Sequence, residues 1–223
     1  MEGSPDRHAG ATVLTRPRPN PLKSIEGGIA LLRGYWYRAK FRLNGVRFRA
    51  GRNFRVYGSL DVRGPGEVCF GNNVAVIEHS RPWTHHPNAR LSIGNNVFIG
   101  STRFGCALQI DVGDWCQLAE AYIMDTDFHS TRDDRRTNPD APVRVEPVVI
   151  GHNVWIGHQV GILPGARIGN NSVVSFGSVC TREYPDNSIL VGNPARVAGQ
   201  VPQSGNAPLA MKLGAPRLPD VRR

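Results

Sequence analysis

The amino-acid sequence predicts an all-β solenoid, a parallel coil of stacked six-residue units with a short helical cap at its N-terminal end. Three observations carry that prediction. The first is a period of six: Ile150, Ile156, Ile162, Ile168, Val174 and Cys180 recur at that spacing, and two residues before each stand Val148, Val154, Val160, Ala166, Ser172 and Ser178. Alternation within a unit is that of a strand, and its recurrence marks a repeat architecture. The second is glycine directly after the aliphatic at 151, 157 and 169, where a tight corner is easy only without a Cβ. The third is composition: 25 Gly and 17 Pro in 223 residues, more than long helices need and suited to many short strands with sharp corners. One unit buries only one or two side chains, so stability requires stacking at the spacing of paired strands, about 4.8 Å, around a shared core.

The elements follow in order. Residues 1–20, rich in Pro, Arg and Gly, read as a disordered tail. Residues 21–45 read as a helical, basic cap. Leu22, Ile25, Ile29, Leu32 and Trp36 are spaced to form one apolar stripe on a helix. The stripe is expected to close the open first coil; Gly27 and Gly28 weaken the helix by about 1 kcal/mol each. The repeat occupies 46–198. The same phase runs earlier at Ile93 and Ile99 and, after a one-residue slip, at Cys106, Val112, Leu118 and Met124, with weaker units at Ala50, Val56, Val62, Phe70 and Val76. A protruding loop at 130–147, "STRDDRRTNPDAPVRVEP", breaks the period, which resumes at Val148. Residues 199–223 have neither period nor apolar density and read as a tail.

Net charge is +9, and the window from Arg33 to Arg55 holds eight bases and no acid. So local a strip suits an anionic membrane surface or a phosphorylated ligand; nucleic acid is not expected, because no nucleic-acid-binding motif accompanies it. Laid on a membrane, the helix would set Tyr35 and Trp36 at the interface. The four cysteines form no C-x-x-C pair, and no apolar signal segment opens the chain, so free thiols in a reducing, cytoplasmic compartment are expected. No run approaches the roughly 18 apolar residues of a membrane span.

At "VIGHNVWIGHQVGILPGARIGNNSVV", together with "ILVGNPARVAG", the chain resembles the hexapeptide-repeat acyltransferases, of the sugar and polysaccharide O-acetyltransferase type. That resemblance implies a left-handed parallel β-helix, assembly as a homotrimer with active sites between subunits, and acetyl-CoA as acyl donor. The handedness comes from the resemblance, because the general rule for parallel crossovers gives the opposite. Carbonic anhydrases and non-catalytic scaffolds use the same coil, so a scaffold or binding protein stays open. So does an antibiotic or amino-sugar acetyltransferase.

The expected chemistry centres on "MDTDFHS" at 124–130. The repeat stops at His129, at the foot of the 130–147 loop, and long excursions from a solenoid are more often functional than decorative. In the resembled family a histidine at such a place is the catalytic base, and imidazole suits removal of a hydroxyl proton near neutral pH. Asp125 and Asp127 are expected to fix the histidine or hold acceptor hydroxyls. Trp155, between the inward Val154 and Ile156, is expected to point outward near the thioester. The resemblance puts the donor's pantetheine along Gly157, His158, Phe176 and Gly177, and its nucleotide end near Thr181, Arg182 and Arg196. Cys106, Cys116 and Cys180 fall on inward positions and read as core. No metal site is expected: His152 and His158 are six apart, and a hexad step moves to another face. The reading is an O-acetyltransferase acting on a sugar or glycan intermediate in the cytoplasm, with residues 33–55 as the surface that would meet the inner membrane face.

Overall fold

The computed structural model describes residues 21–203; the expected tail at 1–20, and that at 199–223 from residue 204 onward, lie outside the described residues, while Gly199 and Gln200 belong to a strand. A helix over Pro21–Leu43 leads into 21 short strands. These wind into three sheets of seven, eight and six strands, parallel except for the last strand of the chain, each coil pairing with those above and below, so the chain makes about seven turns. The first sheet includes Arg90–Ile93, Gln109–Val112 and Val148–Ile150; the second includes Phe98–Ile99, Gln117–Leu118 and Trp155–Ile156; the third includes His79–Thr84, Arg103–Cys106, Ala121–Met124 and Val160–Ile162. Register is strict: Ile110 pairs with Leu91 and Val148, and Leu118 with Ile99 and Ile156. Inward positions therefore stack like on like into one apolar column running the length of the coil, the arrangement that a repeat too small to fold alone requires.

The corner from the first to the second sheet explains the recurring "GNN". Its third residue adopts a left-handed conformation in every coil: Asn53, Asn73, Asn96, Trp115, Asn153, Asn171 and Asn187. Asn tolerates that region better than other residues with a Cβ. Its amide also links coils, Asn53 donating to Asn73, Asn73 to Asn96, and Asn153 to Asn171. Trp115 interrupts this ladder.

Two corrections to the sequence reading concern register and the cap. The corner from Leu118 into the third sheet is one residue shorter than the corner from Ile156, since Ile123 pairs with Ile162. Ile123 is thus the buried aliphatic, Met124 points outward, and Asp125 takes the next inward position. A fixed count of six misphased this coil by one.

The helix does cover the first coil, but not with the expected stripe. Ile25, Ile29, Leu32 and Trp36 are exposed, whereas Ala30, Gly34 and Phe41 are buried and Tyr37 packs against the core. Gly34 makes the close approach possible, because a Cβ there would lie 2.1 Å from the Phe54 carbonyl oxygen. Tyr37 Oη accepts from the Leu60 N–H at 3.2 Å, and Phe41, Phe48, Phe54 and Phe70 form a chain of rings with centroids 5.1–5.8 Å apart. The helix ends at Gly45 with φ +68°; the Val46 N–H bonds back to Phe41 and that of Gly45 to Arg42, the pairing of a Schellman cap. At the other end, Arg196–Gln200 returns antiparallel along Ser188–Val191 and closes the second sheet. Among the described residues no helix is long and apolar enough to cross a membrane.

Candidate active site

Because all strands of the third sheet run the same way, residues after them gather at one edge and residues before them at the other. The segment Asp125–Val145 leaves from the first edge. It is tied down at once: Thr126 bridges Val145, the Asp127 N–H donates to Arg144, and the Glu146 N–H donates to Asp125. Phe128, with φ +60°, turns the chain sharply, and the His129 N–H donates to the Asp127 carbonyl at 2.7 Å. His129 owes its exposure to this turn and not to a strand position. Further out, Asp134 organises the loop, accepting both Nε and Nη2 of Arg132 and the side-chain amide of Asn138. Those hydrogen bonds hold its carboxyl below the usual carboxylate range.

The outer face of the third sheet forms a cavity of about 520 Å³ in front of His129. Arg81, Arg103, Gly105, Tyr122 and Met124 stand on adjacent strands as paired neighbours. Trp83, His85 and Phe128 line one side as a continuous aromatic wall: Trp83 to His85 and His85 to Phe128 are each 4.8 Å between centroids. The Arg103 guanidinium lies 5.2 Å over the Tyr122 ring. Burial pushes the His85 imidazole down from its ordinary pKa, with the nearby Asp125 charge partly opposing it. A second depression that shares His129 is lined by Ser130, Arg135 and Arg136.

Of the residues singled out in the sequence, Asp125 does something else. It is completely buried, and its carboxylate accepts backbone N–H groups of Ala107 at 2.7 Å, Leu108 at 2.8 Å and Gln109 at 2.6 Å. Both oxygens are engaged in holding the corner of the preceding coil, and neither meets the His129 ring. Asp127 is exposed beside His129 and makes its backbone contacts to the loop. Trp155 is 55% exposed on the outer face of the second sheet, in register with Gln117 and Val173.

Gly157, His158, Phe176 and Gly177 lie at the corner that precedes the third sheet, linked by the Gly177 N–H donating to the His158 carbonyl at 3.0 Å. Phe176 is 68% exposed, and Gly177 has φ +67° with open space where a Cβ would be. His158 Nδ1 is 3.9 Å from Glu120. Thr181 and Arg182 follow the third sheet, with Arg182 over the Tyr184 ring, and Arg196 opens the final strand. A single chain thus brings Gly157, His158, Phe176 and Gly177 together but keeps them a full sheet width from His129.

The residues that the sequence reading missed are those of the cavity itself: Arg81, Trp83, His85, Arg103, Tyr122 and Phe128. Arg81, Trp83, Arg103 and Tyr122 stood at outward positions on three successive coils, but the irregular segment "HSRPWTHHPNA" hid the register. Cys106, Cys116 and Cys180 are buried, and burial pushes the thiols of Cys116 and Cys180 up to about 11 and about 12. Among the described residues, no group of three or more His, Cys, Asp or Glu could hold a metal ion.

A parallel coil of hexads with a loop-borne histidine over an aromatic cavity defines a class, the hexapeptide-repeat solenoids. Residues 147–182 match the family model described as bacterial transferase hexapeptide (six repeats). Galactoside O-acetyltransferase of Escherichia coli strain K12 is 33% identical over 122 residues, 52% of this chain and 59% of that protein. A putative acetyltransferase of Saccharomyces cerevisiae is 51% identical over 55 residues, 25% of this chain and 28% of that one. Among solved structures, a point mutant of AntD, an N-acyltransferase from Bacillus cereus in complex with dTDP and coenzyme A, superposes with a TM-score of 0.58 at 21% identity. It covers 73% of this chain and 89% of that chain, a likeness of fold. The chain spans 59% and 28% of the lengths of these two curated relatives. Residues 147–182 thus carry the hexapeptide repeat of that transferase family.

Proposed function

We propose that the protein transfers an acetyl group from acetyl-CoA to a hydroxyl of a sugar or glycan, with His129 as general base and a homotrimer as the working unit. The observation that carries the reading is His129 itself. It is exposed, fixed by a loop that is hydrogen-bonded internally, and set at the mouth of a cavity of ligand size. The curated relatives named as acetyltransferases, and coenzyme A bound to a protein of the same fold, support the donor.

In this reading the His129 imidazole takes the acceptor hydroxyl's proton as its oxygen attacks the thioester carbonyl. The carbon–sulfur bond then breaks, the coenzyme A thiolate leaves, and the imidazolium returns the proton to it. Asp127 is the carboxylate free to hold an acceptor hydroxyl. The donor's arm would run past Trp155, Gly157, His158, Phe176 and Gly177, where the open space at Gly177 admits a close approach. Thr181, Arg182 and Arg196 would lie toward its nucleotide end. Gly157, His158, Phe176 and Gly177 are separated from His129 by the third sheet, which favours a donor bound between copies of the chain, one copy's His129 meeting the donor held by the next.

Replacing His129 by Ala is expected to lower acetyl-CoA-dependent transfer to sugars by 10²- to 10⁴-fold, the usual contribution of a general base, without loss of folded structure. Unchanged coenzyme A release would sink the assignment. Sedimentation equilibrium giving a monomer in the active preparation would sink the shared site. The exposed helix stripe, with Leu32 70% exposed beside the arginines of 33–55, supports peripheral seating on the cytoplasmic membrane face. Co-sedimentation with anionic but not neutral vesicles checks it.

A further inference from the structure

The cavities that meet at His129 have a one-sided chemistry. The larger is lined by Arg81, Arg103, His85, His129 and apolar or aromatic groups, and the smaller by His129, Ser130, Arg135 and Arg136. Neither is lined by an Asp or Glu; Asp127, beside His129, stands outside both linings and is, among the described residues, the one carboxylate near the acceptor hydroxyl. A neutral sugar presents hydroxyls, which a protein usually recognises with carboxylate or amide acceptors as well as donors; these walls offer donors almost alone.

Arg103 is the most telling of the arginines. Among the described residues no carboxylate lies within 4.0 Å of it, although Arg63, Arg132 and Arg144 each hold an acid within that distance. Its guanidinium carbon lies 5.2 Å over the Tyr122 ring, a cation–π contact that helps hold the group in place before any ligand arrives. Arg81, its strand partner, is only partly neutralised. Its Nε is buried without a hydrogen-bond partner and stands 3.3 Å from Asp61 in a poor geometry. Two residues along the same strand from Arg81, the Trp83 indole, 44% exposed, offers an apolar surface for the C–H face of a sugar ring.

We infer that the acceptor is a sugar carrying an anionic group, a phosphate or a carboxylate, held by Arg103 and Arg81 while its ring packs on Trp83 with a hydroxyl toward His129. The inference rests on the transferase reading for the role of the ligand, but not for its binding. Planar donor forks suit both anions, through paired hydrogen bonds that a lysine would not supply.

The test uses the full chain with acetyl-CoA and three acceptors: methyl glucoside, glucose 1-phosphate and glucuronate. Coenzyme A release is followed for the native protein and for Arg103→Gln, and calorimetry measures binding of each sugar without acetyl-CoA. The expected result is a kcat/KM at least ten-fold higher for one of the charged sugars than for methyl glucoside. Arg103→Gln should shrink that ratio about ten-fold and weaken binding of the same sugar. A preference for glucose 1-phosphate identifies phosphate, and one for glucuronate identifies carboxylate. Equal use of neutral and charged sugars overturns the inference, as does an Arg103→Gln effect confined to the KM for acetyl-CoA, or no binding of either charged sugar. Arg103-dependent binding of a charged sugar with no transfer to any acceptor supports the inference and overturns the transferase reading.

Discussion

The ring of Phe128 closes over Gly105: a Cβ at Gly105 would lie 2.3 Å from Phe128 Cζ and 3.2–3.3 Å from both ring Cε atoms. The contact joins the third sheet to the turn that carries His129, and it requires the absence of a side chain at Gly105. Gly105→Ala should therefore push the ring out of the cavity while leaving the coil intact, since the obstructing atom is the far end of a side chain. The expected outcome is a fall of about ten-fold in acetyl transfer, roughly 1.4 kcal/mol in the barrier, with the thermal midpoint changed little. Parallel measurement of both would show whether this ring sets the position of the histidine one residue on.

His85 shares the cavity with His129 but has a different electrostatic setting. Burial lowers its pKa, so the folded state resists its protonation more than the unfolded chain does. The sign follows: below the ordinary imidazole value of about 6.5 the unfolded chain binds the extra proton first, and stability is lost as pH falls toward the folded value. Above that value the contribution is fully present. Urea unfolding of the native protein and His85→Gln between pH 5 and 7 should show a smaller loss on the acid side in the variant. Identical pH dependence would remove His85 from this role.

Much of this was legible in the sequence, for reasons that differ by region. Val148 to Cys180 could be counted because every coil there has the same corner lengths, and Val148, Ile150, Ile156 and Ile162 are all buried as the alternation requires. Val62, Phe70, Val76, Ile93 and Ile99 were also placed inward correctly. Periodicity failed where corner length changed: one residue fewer before Ala121 moved Met124 out and Asp125 in. It also failed on the helix, because a small-residue face built on Ala30 and Gly34 carries almost no hydrophobic signal, whereas Ile29 and Leu32, the louder residues, point away from the coil. Handedness was never in the spacing, and the cavity was invisible because its residues meet across coils about twenty positions apart.

Asp125 offers a direct check on the corrected register. Its three backbone N–H partners leave the Ala107–Gln109 corner without an acceptor if the carboxylate is removed. Hydrogen bonds to a charged group are each worth about 1.5–3 kcal/mol, and orphaned donors add their desolvation penalty. Asp125→Ala should lower folding stability by at least about 3 kcal/mol, whereas Asp127→Ala, at an exposed position, should change it by less than about 0.5 kcal/mol. Equilibrium unfolding of the two variants separates the aspartate that holds the fold from the one that does not, without reference to any substrate.

The helix supplies a paired prediction from two glycines of the same segment. At Gly28 nothing lies within 4 Å of where a Cβ would be, so Gly28→Ala adds only helix propensity, about 1 kcal/mol in favour of the folded state. At Gly34 the added carbon would lie 2.1 Å from the carbonyl oxygen of Phe54 and 3.0 Å from its carbonyl carbon, main-chain atoms that cannot turn aside as a side chain can. Gly34→Ala gains the same propensity but must lift the helix from the first coil, exposing Phe41 and the rings it meets, at a cost of about 3 kcal/mol. Amide hydrogen exchange should then show protection in 30–43 unchanged or raised by Gly28→Ala and sharply reduced by Gly34→Ala. Equal responses would mean that the helix docks through its louder face, Ile25 to Trp36, after all.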